Sequence, residues 1–228
     1  MKELKGAAAV LVLAAGFSQP VQAGDYSGDF MVRVLGAGVL TQDNLKSLTN
    51  NGAPIPGLDA SISDEFIPAA TLTYFFTKNI AAELFCCFAT HQARVSGGVG
   101  EVADFWIFPP AVTLQYHFDP MHGFKPYVGA GLQYIHFFDV KTGSNGLGAD
   151  RVSIDDAIGF TLQAGLDMEL GHGFYANADV KYTWLNTNAT WNVGADRIRA
   201  DIDVDPLIVS AGIGYRFNLF GRNSAPLK

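Results

Sequence analysis

The chain has 228 residues, with 22 acidic and 15 basic side chains and a net charge of −7. This acidic balance argues against binding to nucleic acid and against attachment to a membrane through a polybasic segment. Charged residues make up only 16% of the chain, yet no segment after the N-terminal region approaches the roughly 18 consecutive apolar residues of a transmembrane helix.

The N-terminal residues have the organisation of a secretory signal peptide. Lys2 and Lys5 precede an apolar run over residues 7–17, and Val21-Gln22-Ala23 is a small-x-small cleavage pattern. We therefore predict a signal peptide over residues 1–23, cleaved after Ala23. The alternative is an N-terminal membrane anchor, which the run of 11 residues disfavours because a span needs about 20. Since a bilayer admits only helices and closed barrels, the exported chain is either a soluble secreted sheet protein or a transmembrane β-barrel.

From residue 24 onward the chain shows apolar–polar alternation of period two between turn signals, which is typical of β-strands. Eight strands of about ten residues are predicted, the length that a tilted strand needs to cross a bilayer. They cover residues 30–40, 67–76, 80–90, 107–118, 125–139, 158–170, 174–185 and 206–217. Connections are short after the second, fourth and sixth strands and long after the first, third, fifth and seventh. This sorting predicts an outer-membrane barrel with short periplasmic turns and long extracellular loops.

The alternation also assigns the two faces of each strand. In the fourth strand, Leu114 and Tyr116 alternate with Gln115 and His117. The apolar set is predicted to face lipid and the polar set to face a lumen. Outward aromatic residues are expected at the two membrane interfaces: Phe76, Phe118, Phe174, Tyr215 and Phe217 at the inner one, and Phe88, Tyr134, Phe160 and Trp184 at the outer one. A soluble lipocalin-like barrel with reversed faces is the alternative, but its water-facing surface would carry almost no charge.

Several segments resemble the OmpW family of small outer-membrane proteins. They are "PPAVTLQYHF", "FKPYVGAGLQYIHFFD", "LQAGLDMEL", "NADVKYTWLNT" and "DVDPLIVSAGIGYRF". The resemblance implies an all-β fold, an eight-stranded antiparallel transmembrane β-barrel over residues 24–217, in the outer membrane of a Gram-negative bacterium. It also implies a function in passing small hydrophobic molecules through the outer membrane.

The last predicted strand carries a further resemblance, to the C-terminal signal that the barrel-assembly machinery reads. The pattern consists of Ser210, Gly212, Tyr215 and Phe217. The chain departs from the family in continuing past Phe217 with residues 218–228, which we predict to be a periplasmic C-terminal tail.

Strand direction and parity divide the inward residues into two levels. An eight-stranded barrel has an interior just wide enough for side chains or one small ligand. The lower, periplasmic level is polar: Arg33, Thr71, Thr73, Glu83, Gln115, His117, Gln133, Gln163, Asp167, Asp179, Lys181 and Arg216. The charged members are expected to form a structural ion-pair network more readily than a conduction path, because buried charges must pair.

The upper, extracellular level of the lumen is apolar. Its members are Leu35, Val39, Ile67, Phe85, Ile135, Leu185 and Ile208. An apolar cavity above a few polar groups is typical of a site for a small hydrophobic molecule, which would leave sideways into the bilayer because the polar level opposes straight passage. The alternative, that these side chains simply pack the barrel core, stays open.

Other functions find less support in the sequence. The five histidines are scattered, without an adjacent nucleophile and acid and without the spacing of metal ligands, so neither an enzyme nor a metal site nor a cofactor is predicted. Cys86 and Cys87 are strand neighbours that point to opposite faces, so no disulfide is expected. A structural or adhesive barrel without transport is the remaining rival. The expected partners are outer-membrane lipid, small hydrophobic molecules and, during biogenesis, the barrel-assembly machinery.

Overall fold

The computed structural model describes residues 29–144 and 148–219. The predicted signal peptide with Ala23, and the predicted tail from residue 220 onward, lie outside these residues. The described strands are β1 (Phe30–Leu40), β2 (Asn44–Asn50), β3 (Ala53–Pro54), β4 (Ala60–Ile62), β5 (Glu65–Phe75), β6 (Ile80–Cys87), β7 (Ala89–Val95), β8 (Gly100–Phe108), β9 (Ala111–His117), β10 (Phe124–Lys141), β11 (Arg151–Ile154), β12 (Ala157–Gly171), β13 (Phe174–Trp184), β14 (Asn186–Val193), β15 (Asp196–Asp203) and β16 (Leu207–Phe217). Among the described residues no helix is long and apolar enough to cross a membrane.

Eight of these strands close into an antiparallel barrel. In order around the wall they are β1, β5, β6, β9, β10, β12, β13 and β16, and β16 pairs with β1 to close the ring. The closing pair runs the full length of both strands, from Phe30 opposite Phe217 to Leu40 opposite Leu207. Every strand of the ring has two partners, so the wall has no open edge. The predicted eight-stranded antiparallel barrel is confirmed.

The barrel is strongly sheared. The shear is measured by starting at Thr71 and moving from each residue to its paired neighbour on the next strand. In one direction around the wall this path ends at Gly159 of β12, and in the other direction it ends at Glu169 of β12. The two end points are ten residues apart, so the strands tilt against the barrel axis. With eight strands, this geometry leaves an interior that side chains can fill.

The long connections contain strands, which the sequence analysis missed. Beyond the barrel wall, β4, β7 and β8 form one sheet with the upper end of β10, and β11, β14, β15, β2 and β3 form another. We call these eight short strands, together with residues 136–141 of β10, the collar. The collar lies on the side of the long connections, which is the extracellular side of an outer-membrane barrel.

The predicted fourth strand, 107–118, is also corrected. The structure divides it into β8, which ends at Phe108, and β9, which begins at Ala111. Pro109 and Pro110 separate the two because proline has no backbone N–H to donate to a ladder. As a result β9 belongs to the barrel wall, whereas β8 rises into the collar.

The two faces of the wall follow the predicted parity. Outward positions carry large exposed apolar side chains, among them Val34 and Leu114, which are 67% and 60% exposed. Predicted interfacial aromatics such as Phe118 and Trp184 are also exposed, as expected for contact with a membrane. Inward positions are buried and largely polar on the lower level. Cys87 points inward and is buried, Cys86 lies on the opposite face, and both thiols are free.

Candidate functional site

A buried ion-pair network occupies the lower level of the barrel interior, with Arg33 of β1 as one centre. The guanidinium donates to the two carboxylate oxygens of Asp167 at 3.2 and 2.7 Å, and to Glu83 at 3.0 Å. It also donates to the Thr73 hydroxyl at 2.7 Å. Since the charged partners come from β1, β6 and β12, these contacts tie distant parts of the wall together.

Lys181 of β13 is the second centre of the network. Its ammonium group donates to Asp179 at 2.5 Å and lies 3.2 Å from Glu83, so Glu83 pairs with both cations. Tyr127 donates its hydroxyl hydrogen to the other oxygen of Asp179 at 2.7 Å. Such mutual satisfaction is what allows charges to stay in a dry interior, since an unpaired buried charge would be strongly destabilising.

Neutral side chains extend the network across the lumen. The Gln163 amide donates to Glu83 at 2.9 Å and to Asp179 at 2.7 Å, while its oxygen accepts from Thr113 and Gln115 at 2.7 and 3.1 Å. On another side of the lumen, Thr183 donates to Gln133 at 2.7 Å. Most of the predicted lower-lumen residues therefore take part in hydrogen bonds across the lumen, whereas the Thr71 hydroxyl has no hydrogen-bond partner among the described residues. All of them are buried except Arg216, which is half-buried: Arg33, Thr71, Thr73, Glu83, Gln115, His117, Gln133, Gln163, Asp167, Asp179 and Lys181.

The periplasmic end of the lumen is closed by apolar and aromatic side chains beneath this layer. Met31, Phe75, Ala81 and Tyr175 form a cluster whose members are at most 1% exposed. Cations lie over its rings, with the Lys125 ammonium 5.4 Å from the Phe75 centroid. Arg216 stacks similarly on Tyr175 at 5.3 Å and pairs with Asp29 at 3.4 Å. The periplasmic end of the lumen is thus filled by side chains that pack against one another.

Several interior residues were missing from the predicted lower level, among them Tyr127, Lys125 and Asn177. These three are buried, and Asn177 donates to Asp167 at 2.9 Å and to Tyr127 at 3.0 Å. The alternation of faces along each strand could have predicted that they point inward, because each lies on the same face as predicted lower-lumen residues of its own strand. Space for the Tyr127 ring comes from Gly165, because a Cβ at that position would overlap the ring.

The upper level is apolar, and it continues into the collar. All seven predicted members are buried in one cluster: Leu35, Val39, Ile67, Phe85, Ile135, Leu185 and Ile208. The same cluster includes Leu48, Phe105 and Trp191 of the collar, which the sequence analysis did not assign. Trp191 is fixed there by an indole N–H that donates to the carbonyl of Val102 at 2.9 Å. We call this continuous region the apolar compartment.

The described residues form a small cavity in the collar and a larger hollow on the wall. A cavity of about 40 Å³ lies within the collar between Leu48, Val102 and Trp191. A hollow of about 710 Å³ lies on the wall around Ala130 and Ala164, and most of its lining residues point outward to the membrane. Leu48, Val102 and Trp191, which line the collar cavity, belong to the same apolar cluster as the predicted ligand-site residues, whereas the hollow on the wall belongs to the lipid-facing surface. Within residues 29–144 and 148–219, no group of three or more His, Cys, Asp or Glu side chains is placed to hold a metal ion.

Comparison with known proteins decides the family. The OmpW family profile matches residues 26–217, which include the whole barrel and collar. The chain belongs to the OmpW family. This confirms the resemblance that the sequence segments indicated.

Relatives of the chain support the same assignment. Outer membrane protein W of Vibrio cholerae is 34% identical over 90% of this chain and 96% of its own length. The crystal structure of the outer-membrane protein OprG from Pseudomonas aeruginosa superimposes with a TM-score of 0.81 at 30% identity, over 86% of this chain and 99% of OprG. A more distant relative, 24% identical over 73% of this chain and 79% of its own length, is the dibenzothiophene metabolism operon protein PahQ of Pseudomonas aeruginosa.

Membership of the OmpW family fixes the location and the general class of this protein. It is a β-barrel of the Gram-negative outer membrane, and its exposed apolar wall lies in the lipid bilayer. Membership of a family of outer-membrane barrel proteins agrees with the prediction that this chain is not an enzyme.

Proposed function

We propose that this OmpW-family barrel binds small hydrophobic molecules in the apolar compartment and passes them into the outer membrane. The observation that carries the proposal is the vertical order of the interior. The apolar compartment extends from the collar into the upper lumen, above the layer of paired charges. An apolar solute that enters from outside therefore meets favourable surroundings first and a polar barrier second.

The barrier argues for a sideways exit. Straight passage would require the ion pairs of Arg33 and Lys181 to separate next to a solute that can offer them no hydrogen bond, and buried charges without partners are strongly disfavoured. Movement through the wall brings the same solute into lipid tails, where its apolar surface stays away from water. Because the polar layer opposes straight passage, we expect the solute to be released into the bilayer and not into the periplasm.

Binding requires the collar to open. The collar cavity has a volume of about 40 Å³, whereas pockets for small ligands typically measure roughly 300–1,000 Å³. The collar is built from short strands, of which β3, β4 and β11 have two to four residues and lie at sheet edges. Short edge elements are the parts of a fold that separate most easily. We infer that displacement of these strands enlarges the compartment.

The name of one relative agrees with an apolar substrate. PahQ is named for the metabolism of dibenzothiophene, an apolar fused-ring compound. The same chemistry would suit a compartment lined by Leu35, Ile135 and Ile208.

A structural barrel without transport is the second candidate. Its support is the packing of the upper level, where Phe85 and Ile208 are 0% and 2% exposed in the closed compartment. The two candidates differ in one measurable property, which is saturable binding of an apolar solute inside the collar.

Tryptophan fluorescence provides the test, because the chain has only Trp106, Trp184 and Trp191. Trp191 is 3% exposed inside the collar, while Trp184 is 47% exposed on the wall. In lipid nanodiscs, 1-bromooctane should quench Trp191 saturably in a Trp106→Phe/Trp184→Phe background. In a Trp106→Phe/Trp191→Phe protein, Trp184 is the remaining tryptophan. Its quenching should rise with the concentration of probe dissolved in the lipid and should not saturate.

Paired variants at the same positions separate binding from folding. Replacing Ile135 and Ile208 with Asp places two carboxylates in the apolar compartment, which should abolish the saturable quenching. Replacing both with Ala keeps the compartment apolar and enlarges it, so binding should persist. Far-UV circular dichroism and heat-modifiable gel mobility confirm that each barrel is folded. Unsaturable quenching in the parent, or equal quenching in the folded Asp variant, would favour the structural candidate.

A further inference from the structure

The collar consists of two separate sheets. We call β11, β14, β15, β2 and β3 the β14 sheet, and β4, β7 and β8 with the upper end of β10 the β8 sheet. Each is held together by backbone ladders, since β14 pairs with β15 from Asn186 to Val193 and β7 pairs with β8 from Ala89 to Val95. In the described part of the chain no ladder joins one sheet to the other. The junction between them, which we call the seam, therefore depends on side chains.

The seam contains the collar cavity of about 40 Å³ and is lined by apolar side chains from both sheets. Leu48, Trp191 and Ile198 belong to the β14 sheet, whereas Val95 and Val102 belong to the β8 sheet. A void leaves its lining atoms without contacts on one side, so packing across the seam is incomplete.

Among the described residues, a single hydrogen bond joins the strands of one sheet to those of the other. The indole N–H of Trp191 donates it to the carbonyl of Val102 at 2.9 Å. Ion pairs of the collar strands, such as Lys46 with Asp203, stay within one sheet. Separation of the two sheets therefore breaks one hydrogen bond, whereas removal of a strand from either sheet breaks a whole ladder. The seam is the place where the collar opens at the lowest cost.

The connection between β3 and β4 passes along the seam. These two strands are the edge strands of the β14 sheet and the β8 sheet, and Ile55 and Leu58 of their connection line the cavity. An edge strand has a ladder on one side only, so it separates more easily than an inner strand. Movement of β3 and β4, which the proposed function requires, therefore acts on the seam.

The lining of the seam runs from the surface of the collar to the apolar compartment. Val99 and Ile198 are partly buried and pack against the apolar cluster, whereas Leu48, Val102 and Trp191 are buried members of it. A solute outside the collar thus meets the partly buried residues first and the compartment behind them second.

We propose that the seam is the entrance of the apolar compartment, and that its cavity is the first binding site for the end of an alkyl chain that arrives from outside. This inference rests on the proposed function, because it assumes that a solute enters the compartment. The volume of about 40 Å³ compares with roughly 30 Å³ for one water molecule in the liquid, so the cavity accepts the end of a chain but not a whole solute. Separation of the sheets then admits the rest of the molecule, whose apolar surface leaves water as it enters.

A covalent bridge across the seam tests this entrance. Val99→Cys and Ile198→Cys place one thiol on each side of the cavity, in a protein that retains only Trp191 and carries Cys86→Ala and Cys87→Ala. 1,3-Dichloroacetone joins the two thiols through a short acetone bridge, which mass spectrometry verifies. Stopped-flow fluorescence then follows the quenching of Trp191 by 1-bromooctane in nanodiscs. The bridge should slow this quenching roughly tenfold or more, because it prevents the conformational change that entry requires.

Two controls separate the bridge from its chemistry and from its position. Alkylation of the same thiols with iodoacetamide adds groups of similar size without a bridge and should leave the rate unchanged. A bridge in Thr49→Cys/Arg199→Cys joins residues that already pair within the β14 sheet, so it should also leave the rate unchanged. Val95→Cys/Ile198→Cys provides a second bridge across the same cavity if the first does not form.

An unchanged rate of quenching in the folded protein with a bridged seam overturns the entrance. Heat-modifiable gel mobility confirms that the bridged barrel is folded. In that case saturable quenching of Trp191 in the unbridged protein still upholds the proposed function, whereas its absence removes both.

Discussion

Arg33 and Asp167, 134 residues apart in the chain, form a two-point ion pair in the barrel interior. The pair joins β1 to β12, which lies three strands away around the wall. Glu83 also accepts from the guanidinium at 3.0 Å, so one cation pairs with two carboxylates in a space that solvent does not reach.

Removal of this cation should be costly for folding. Arg33→Met leaves Asp167 and Glu83 without their shared partner, and breaking a buried pair in this way typically costs about 3–5 kcal/mol. Lys78→Met is the matched control, because Lys78 pairs with Asp119 in an exposed turn, where a salt bridge contributes about 0–1 kcal/mol. Urea unfolding of both variants, followed by heat-modifiable gel mobility, measures the difference. Equal losses in the two variants would show that the buried network does not stabilise the barrel.

The pairing of Arg33 with Asp167 marks the limit of what the sequence predicts. Strand parity alone places both residues inside, since the alternation of each strand separates lipid-facing from lumenal positions. Their contact depends on the shear and tilt of the closed barrel, which arise from long-range pairing and leave no local pattern. For the same reason the layer of paired charges could be foreseen, but the position of Glu83 between two cations could not.

The strands of the collar were absent from the sequence-based prediction for a different reason. In β15, Ile198, Ala200 and Ile202 alternate with charged residues, which is a period-two signal of the same form as that of the wall strands. The alternation of short and long connections predicts a loop for this segment. Because those loops are strands, the apolar compartment extends through Trp191, well beyond the predicted upper lumen.

The lipid-facing wall provides a prediction that distinguishes membrane from water. Leu114 points outward near the middle of β9 and is 60% exposed. Leu114→Arg should destabilise the barrel in bilayers by about 2–4 kcal/mol, the cost of an arginine at the midplane. Leu114→Ala removes the same side chain without adding a charge and should cost less. Reversible unfolding in lipid vesicles measures both, and a harmless Leu114→Arg would indicate that this face contacts water.

The free energy of unfolding should depend on pH through His91. Burial is the main cause that lowers its pKa below the ordinary value of 6.5, while the charges of Glu65 and Asp64 oppose this effect. The unfolded chain therefore takes up a proton at a higher pH than the folded protein does, and the unfolded state gains free energy from protonation first. The stability that depends on neutral His91 is complete above pH 6.5 and is lost as the pH falls below 6.5 towards the folded-state pKa.

His91→Phe isolates this contribution, because phenylalanine keeps the stack on Phe105 but cannot titrate. Other titrating groups are common to both proteins and cancel in the difference between them. The thermal midpoint of the wild type, relative to that of His91→Phe, should fall when the pH is lowered from about 7.5 to about 5. Melting curves of the two refolded proteins in the same lipid test this expectation. A difference that stays constant over this range, or that grows in favour of the wild type on acidification, would mean that the His91 ring is not held neutral in the collar.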